Sequence, residues 1–258
     1  MQNPSPKSTG SLSNKFIFLF GLISGIALTS LIGFFLVILI SLGIKSGVID
    51  LAKIWEDKAV ANQVAVAGLD EVKAPEPEVA SVDQKSDHIL DDPSAEISLI
   101  IFSDLECPFC KKFHYTTKEI LAAYPGEVNL VFRHFPLDNL HTKARSEAQA
   151  TECAAEQGKF WEYIDRLFEI TPSNDGLAEE ALKQIATELN LDLNQFEDCQ
   201  SSEKYQEKIN AYLADGIKAG ARGTPYSILI SKQGDKIVIS GAQPASAIKS
   251  QIDKLLGK

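Results

Sequence analysis

Residues 98–114, SLIIFSDLECPFCKKFH, set two cysteines two residues apart, Cys107 and Cys110, directly after an apolar run. The run, EISLIIF, reads as a buried β-strand because it is short, rich in β-branched and aromatic residues, and closed by the turn residues Ser103 and Asp104. A helix follows over about 108–124: Pro108 suits a first turn, and Phe109, Phe113, Ile120 and Leu121 supply an apolar side. A strand that delivers a cysteine to the first turn of a helix sets its sulfur among free backbone N–H groups at the positive end of the helix dipole. The thiolate is favoured there, which lowers the thiol pKa from about 8.5 and makes the sulfur both a better nucleophile and a better leaving group. Cys107 is therefore the candidate nucleophile. Cys110 lies one helical turn deeper, where it can attack a mixed disulfide on Cys107 and release the partner.

Two other uses of a CxxC pair compete. A metal centre needs about four ligands, yet His114 is the one further candidate nearby and no second CxxC occurs. His114 itself reads as a packed or solvated helix position, and His134 and His141 carry no stronger signal. A client-holding module whose cysteines never turn over is the more distant alternative.

The redox compartment decides what such a pair can do. No charged residue interrupts residues 16–44, whereas roughly 20 apolar residues suffice to cross a membrane as a helix. The run exceeds the roughly 7–15 apolar residues of a cleaved signal peptide, so an uncleaved anchor is expected. Residues 1–15 carry Lys7 and Lys15 without an acid, so this tail stays cytoplasmic and the C-terminal part is exported. The expected location is the cytoplasmic (inner) membrane, single-pass, with a periplasmic or extracytoplasmic domain. Gly21, Gly25, Thr29 and Gly33 line one helix face on which a second span could pack as a dimer, although glycine is common in membrane helices generally. The first 44 residues hold two lysines and no acid, so the rest is more negative still than the formal −10 of the chain. That charge argues against nucleic acid and anionic membrane surfaces as partners.

A stalk and linker are expected over 45–94, the second half of it rich in proline and acid without apolar periodicity. The folded domain is expected over 95–256. After the first strand and helix come a second strand in EVNLVFRHFPL and a helical block over about 141–221. The hairpin strands PYSILIS and DKIVIS and a closing helix in PASAIKSQIDKLL complete it. Cys153 and Cys199 form an even pair in separate helical segments of an exported domain, and a structural disulfide is the leading account.

Several motifs together resemble the DsbA-like thiol:disulfide oxidoreductases of the thioredoxin fold: SDLECPFC at the pair, VFRHFPL on the second strand, ATECAAEQGKFWEY in the block, GTPYSILI before the hairpin, and GAQP near the end. The resemblance implies an α/β thioredoxin fold with a helical insertion, and thiol–disulfide exchange with exported proteins. It implies no dissociable cofactor, and reoxidation by a quinone-linked membrane partner. It also implies a cis bond between Thr224 and Pro225 facing the cysteines, with the Thr224 backbone pairing to an extended client. Oxidase is the expected direction, with reductase or isomerase as the alternative, since the Pro108-Phe109 dipeptide lacks the histidine of strongly oxidising relatives and the Gly-Pro of thioredoxins. Phe109 reads as part of an exposed apolar rim for clients. Many relatives carry an acid six residues before the first cysteine, where this chain has Ile101. Glu106, beside Cys107, is either a substitute for that acid or a solvated turn residue.

Overall fold

The computed structural model describes residues 76–258; the expected tail, membrane span and stalk lie outside the described residues. In chain order the elements are β1 (His88–Leu90), β2 (Ile97–Ser103), α1 (Pro108–Ala123), β3 (Val128–His134), α2 (Ala144–Ala155), α3 (Phe160–Ile170), α4 (Glu180–Glu188), α5 (Leu193–Ser202), α6 (Gln206–Lys218), β4 (Tyr226–Ser231), β5 (Lys236–Ser240) and α7 (Ala245–Leu256). Among the described residues, no helix is long and apolar enough to cross a membrane.

The strands form one sheet in the order β1-β3-β2-β4-β5. β2 runs parallel to β3, as the strand–helix–strand crossover through α1 requires, and antiparallel to β4. This places β2 at the centre, buried on both faces, which is why it reads as a continuous apolar run. Ile97, Leu99 and Ile101 pack with Phe113, Ile120, Ile248 and Ile252 of α1 and α7. Ile100 and Phe102 face the opposite side, with Val131, Phe135 and Tyr226. Each such buried side chain contributes about 1.5–3 kcal/mol. On that second side α6 comes close because Gly216 lacks a side chain: a Cβ there would stand 2.6 Å from the Phe135 ring.

The insertion, α2 to α6, builds its own core around Tyr163, Ile164, Leu167, Phe168 and Ile185, continuous with Leu105, Cys107 and Cys110. Cys153 on α2 and Cys199 on α5 are joined by a disulfide, with Cα atoms 5.7 Å apart. A buried ionic cluster fastens the insertion to the sheet. Glu152 of α2 meets His88 of β1 at 2.9 Å, Lys208 of α6 at 2.8 Å and His134 of β3 at 3.3 Å.

The domain begins earlier than residue 95. β1 pairs antiparallel with β3, and the acidic, proline-rich stretch before it lies along the domain rather than serving wholly as linker. Buried Arg133 explains this. Its guanidinium donates to Asp87, Asp215 and the carbonyl oxygens of Ala80 and Ser81. Tyr212 Oη donates to Ser86 O at 2.9 Å. Attachment through backbone carbonyls leaves no periodicity in the attached segment.

Candidate active site

Cys107 is the N-cap of α1, with extended backbone (φ −78°, ψ 121°) and Pro108 behind it in the first turn. Its C=O accepts the first helical hydrogen bond, from Lys111 N at 3.0 Å. The first turn contains no acid that would compete for its free N–H groups. A hydrogen bond from Cys110 is the main cause that brings the Cys107 thiol down to about 6; burial opposes it, and the backbone N–H groups of Cys110 and Phe109 assist. Cys110 is the reverse case. Burial first, then the hydrogen bond and charge of Cys107, push its thiol well above the ordinary range. One sulfur is thus prepared as thiolate and the other as proton donor.

The loop between α6 and β4 closes the site from the other side. The Thr224-Pro225 bond is cis, and Cys107 Sγ lies 3.6 Å from Thr224 O. Phe109 projects into solvent at 63% exposure while both cysteines are buried. The site therefore joins an apolar exposed ring, a shielded thiol and the backbone carbonyl of the cis Thr224-Pro225 bend.

Behind the sulfurs lies a polar cluster. Asp104 N donates to Cys110 Sγ at 3.5 Å. The Asp104 carboxylate accepts from Glu106 N and Leu137 N, at 2.8 and 2.7 Å, and pairs with His141 Nδ1 at 3.0 Å. Glu106 is 0% exposed, which corrects its reading as a solvated turn residue: the turn after α3 folds over it, and Asn174 N donates to Glu106 O at 2.8 Å. Its carboxyl lies beside that of Glu147 of α2, and none of the four buried oxygens has a hydrogen-bond partner. Burial, followed by Glu106, pushes the Glu147 carboxyl up to about 10.

Of the histidines, His114 is a packed position on α1, bonded to Asp165 at 2.7 Å and stacked near Phe168. Asp104, His141 and Glu147 escaped the sequence reading. Glu147 in particular looks like an ordinary first-turn acid that favours the helix dipole.

A family model described as thioredoxin matches residues 83–254. The crystal structure of Pseudomonas aeruginosa DsbA2 superposes with a TM-score of 0.57 at 27% identity, over 68% of this chain and 97% of that one. Wolbachia pipientis α-DsbA1 gives 0.60 at 25%, over 68% and 94%. A curated relative, the Na+/H+ antiporter NhaA 1 of Mycolicibacterium gilvum (strain PYR-GCK), is 34% identical over 116 residues, 45% of this chain and 18% of that protein. The chain thus spans about a fifth of the length of the curated relatives it matches. With Cys107 and Cys110 at the start of α1 and a helical block between β3 and β4, the chain belongs to the thioredoxin family as a DsbA-like member.

Proposed function

We propose that this protein is a membrane-anchored thiol:disulfide oxidoreductase that oxidises exported proteins through Cys107 and Cys110. The observation that carries the reading is the opposed tuning of two adjacent thiols, Cys107 held down to about 6 and Cys110 pushed up. A stabilised thiolate on Cys107 favours the reduced form of the pair and so makes its disulfide the stronger oxidant.

In the oxidising direction a client thiolate attacks Cys107 Sγ and forms the mixed disulfide. The electron pair of the old S–S bond leaves on Cys110, which takes up a proton. A second client thiolate then attacks the client sulfur, a client disulfide forms, and Cys107 departs as thiolate. Thr224 offers its backbone to the client chain, and Phe109 provides an apolar contact. Reoxidation requires a membrane partner, and a quinone-linked reoxidase fits an anchor over residues 16–44 and an extracytoplasmic domain.

The test is the equilibrium of the purified protein with glutathione, together with turnover on a reduced, unfolded client. Equilibrium well toward the reduced protein and catalytic formation of client disulfides are expected. A potential near the thioredoxin end of the scale assigns a reductase instead. Stoichiometric metal without any exchange assigns a binding module.

A further inference from the structure

The two residues between the cysteines, Pro108 and Phe109, carry no charge, yet a titratable pair stands directly behind them. His141 is 6% exposed and Asp104 1%. Asp104 stands between His141 and the redox pair: its carboxylate lies 3.0 Å from Nδ1, an ion-pair distance without hydrogen-bond alignment, while its own N–H points at Cys110 Sγ. We propose that His141, paired with Asp104, is a positioning residue that supplies positive charge behind the redox pair and binds its proton more tightly when the Cys107 thiolate forms.

The site spends backbone strain on this arrangement. Ser173, Asn174 and Asp175 are three consecutive non-glycine residues with φ of 67°, 55° and 60°, a left-handed turn that costs roughly 1–2 kcal/mol per residue. Such strain persists where surrounding contacts over-determine it. Here Asp175 accepts from Thr142 N and Lys143 N at 3.0 and 2.9 Å, Lys143 Nζ returns to the carbonyl oxygens of Asp175 and Leu177, and Asn174 N holds Glu106 O. The turn thereby clamps Thr142 and Lys143, the two residues that follow His141.

The charges around His141 point one way. Burial alone would depress its pKa, but Asp104, Cys107 and Asn174 together raise it. Asp175 faces it from the strained turn, and Glu147 with Glu106 stands beyond Asp104. Of these groups Cys107 is the one whose charge changes with redox state. In the disulfide it is neutral, so His141 holds its proton less tightly; when Cys107 leaves as thiolate with the electron pair of its bond, His141 binds a proton from water. Reduction then takes up more than one proton near neutral pH, one on Cys110 and a fraction of one on His141.

This inference rests on the proposed exchange reaction, and its test separates the two. The full chain has four histidines, and the His141 ring resonance is identified by its loss in H141Q. Its titration midpoint should be about one unit higher in the reduced than in the oxidised protein; identical midpoints overturn the inference. In a folded H141Q, the midpoint for alkylation of Cys107 should rise by about one unit. Glutathione reduction itself takes up two protons, so between the two His141 midpoints the wild-type equilibrium with it should change less steeply with pH than that of H141Q, which lacks the extra fraction of a proton. Equal slopes in the two proteins would overturn the inference. Where H141Q does not fold, the wild-type titration decides alone, with the resonance assigned by H141N. Wild-type protein that shows the shift but exchanges no disulfides supports the inference and sinks the functional reading; exchange without the shift does the reverse.

Discussion

The carboxyl groups of Glu147 on α2 and of Glu106, the residue that precedes Cys107, stand beside each other, and all four oxygens are shut away from solvent without a hydrogen-bond partner. Two acids in such a contact cannot both ionise, so one proton is retained. Glu147 holds it up to a pH of about 10, against an ordinary value of 4.5. Between those values the folded protein binds a proton that the unfolded chain releases, and stability falls as pH rises. Glu147→Gln keeps a donor to Glu106 without a titrating proton. It should leave stability nearly unchanged at pH 4 and raise it by about 1–3 kcal/mol at pH 8. Urea denaturation at both pH values measures this; parallel wild-type and variant profiles would show that the carboxyl titrates normally.

Cys110→Ser should accumulate covalent complexes with exported proteins that carry a disulfide, whose S–S bond the Cys107 thiolate opens. The hydroxyl can still donate to Cys107, and that hydrogen bond is the main cause of its low value, so the nucleophile stays active while nothing nearby displaces the adduct. Non-reducing electrophoresis reads the adducts. A folded variant that forms none would reverse the roles given to the two cysteines.

The strand, the redox pair and the helical block were legible because each is a local pattern: a closed apolar run, a cysteine before Pro108, apolar residues at helical spacing. What was not legible depends on residues far apart in sequence. Arg133 looks like an interruption of VFRHF, yet it fastens the stretch from Ala80 to Asp87 to the domain. Asp104 and His141 meet only once β2 and β3 are side by side, and Glu106 is covered by a turn 68 positions on, through Asn174. Acids separated in this way read as surface charge until the fold removes them from water.

Glu152→Gln should cost about 3–5 kcal/mol at neutral pH, because it strips the buried partner from Lys208, His88 and His134. Burial works against ionisation of Glu152, but His134, 3.3 Å from its Oε1, and His88, hydrogen-bonded to its Oε2, hold its carboxyl well below the usual range. A carboxyl depressed in this way stabilises the fold above about pH 4.5 and loses that contribution as pH falls toward its folded value. The cost of the substitution should therefore shrink toward pH 3. Thermal denaturation across pH 3–7 checks both parts, and a cost that is constant with pH would mean that packing, not charge, is lost.

Replacing Cys153 and Cys199 together by alanine opens a cross-link spanning 46 positions. A loop of that length constrains the unfolded chain by roughly 4 kcal/mol. The double variant should lose about that much stability while the redox pair still exchanges with glutathione. Mass mapping that finds Cys153 and Cys199 as free thiols in the purified protein would remove the basis for the expectation.

Ile101→Glu should speed the release of client from the mixed disulfide on Cys107 and lower stability at the same time. Ile101 is 4% exposed on β2, on the same face as Ser103 two residues on, and Ser103 hydrogen-bonds Cys110. A carboxylate there would stand on the side of the sheet from which the Cys110 proton must depart. Burying it in place of a packed apolar side chain costs about 2–5 kcal/mol. One neighbour can offset part of that. Ser227 of β4 lies directly opposite in the antiparallel register, and its buried hydroxyl has no hydrogen-bond partner. Opposed residues project to the same face, so Ser227 Oγ can donate to the new carboxylate. Removing that hydroxyl in Ile101→Glu, Ser227→Ala should deepen the stability loss and raise the carboxyl pKa further, shifting the rate gain to higher pH. Stopped-flow release from a preformed mixed disulfide, with circular dichroism confirming the fold, isolates the chemical step. If the folded single variant releases client at the wild-type rate from pH 6 to 9, the Cys110 proton already leaves by another route, and the Asp104 side of the site becomes the place to look for it.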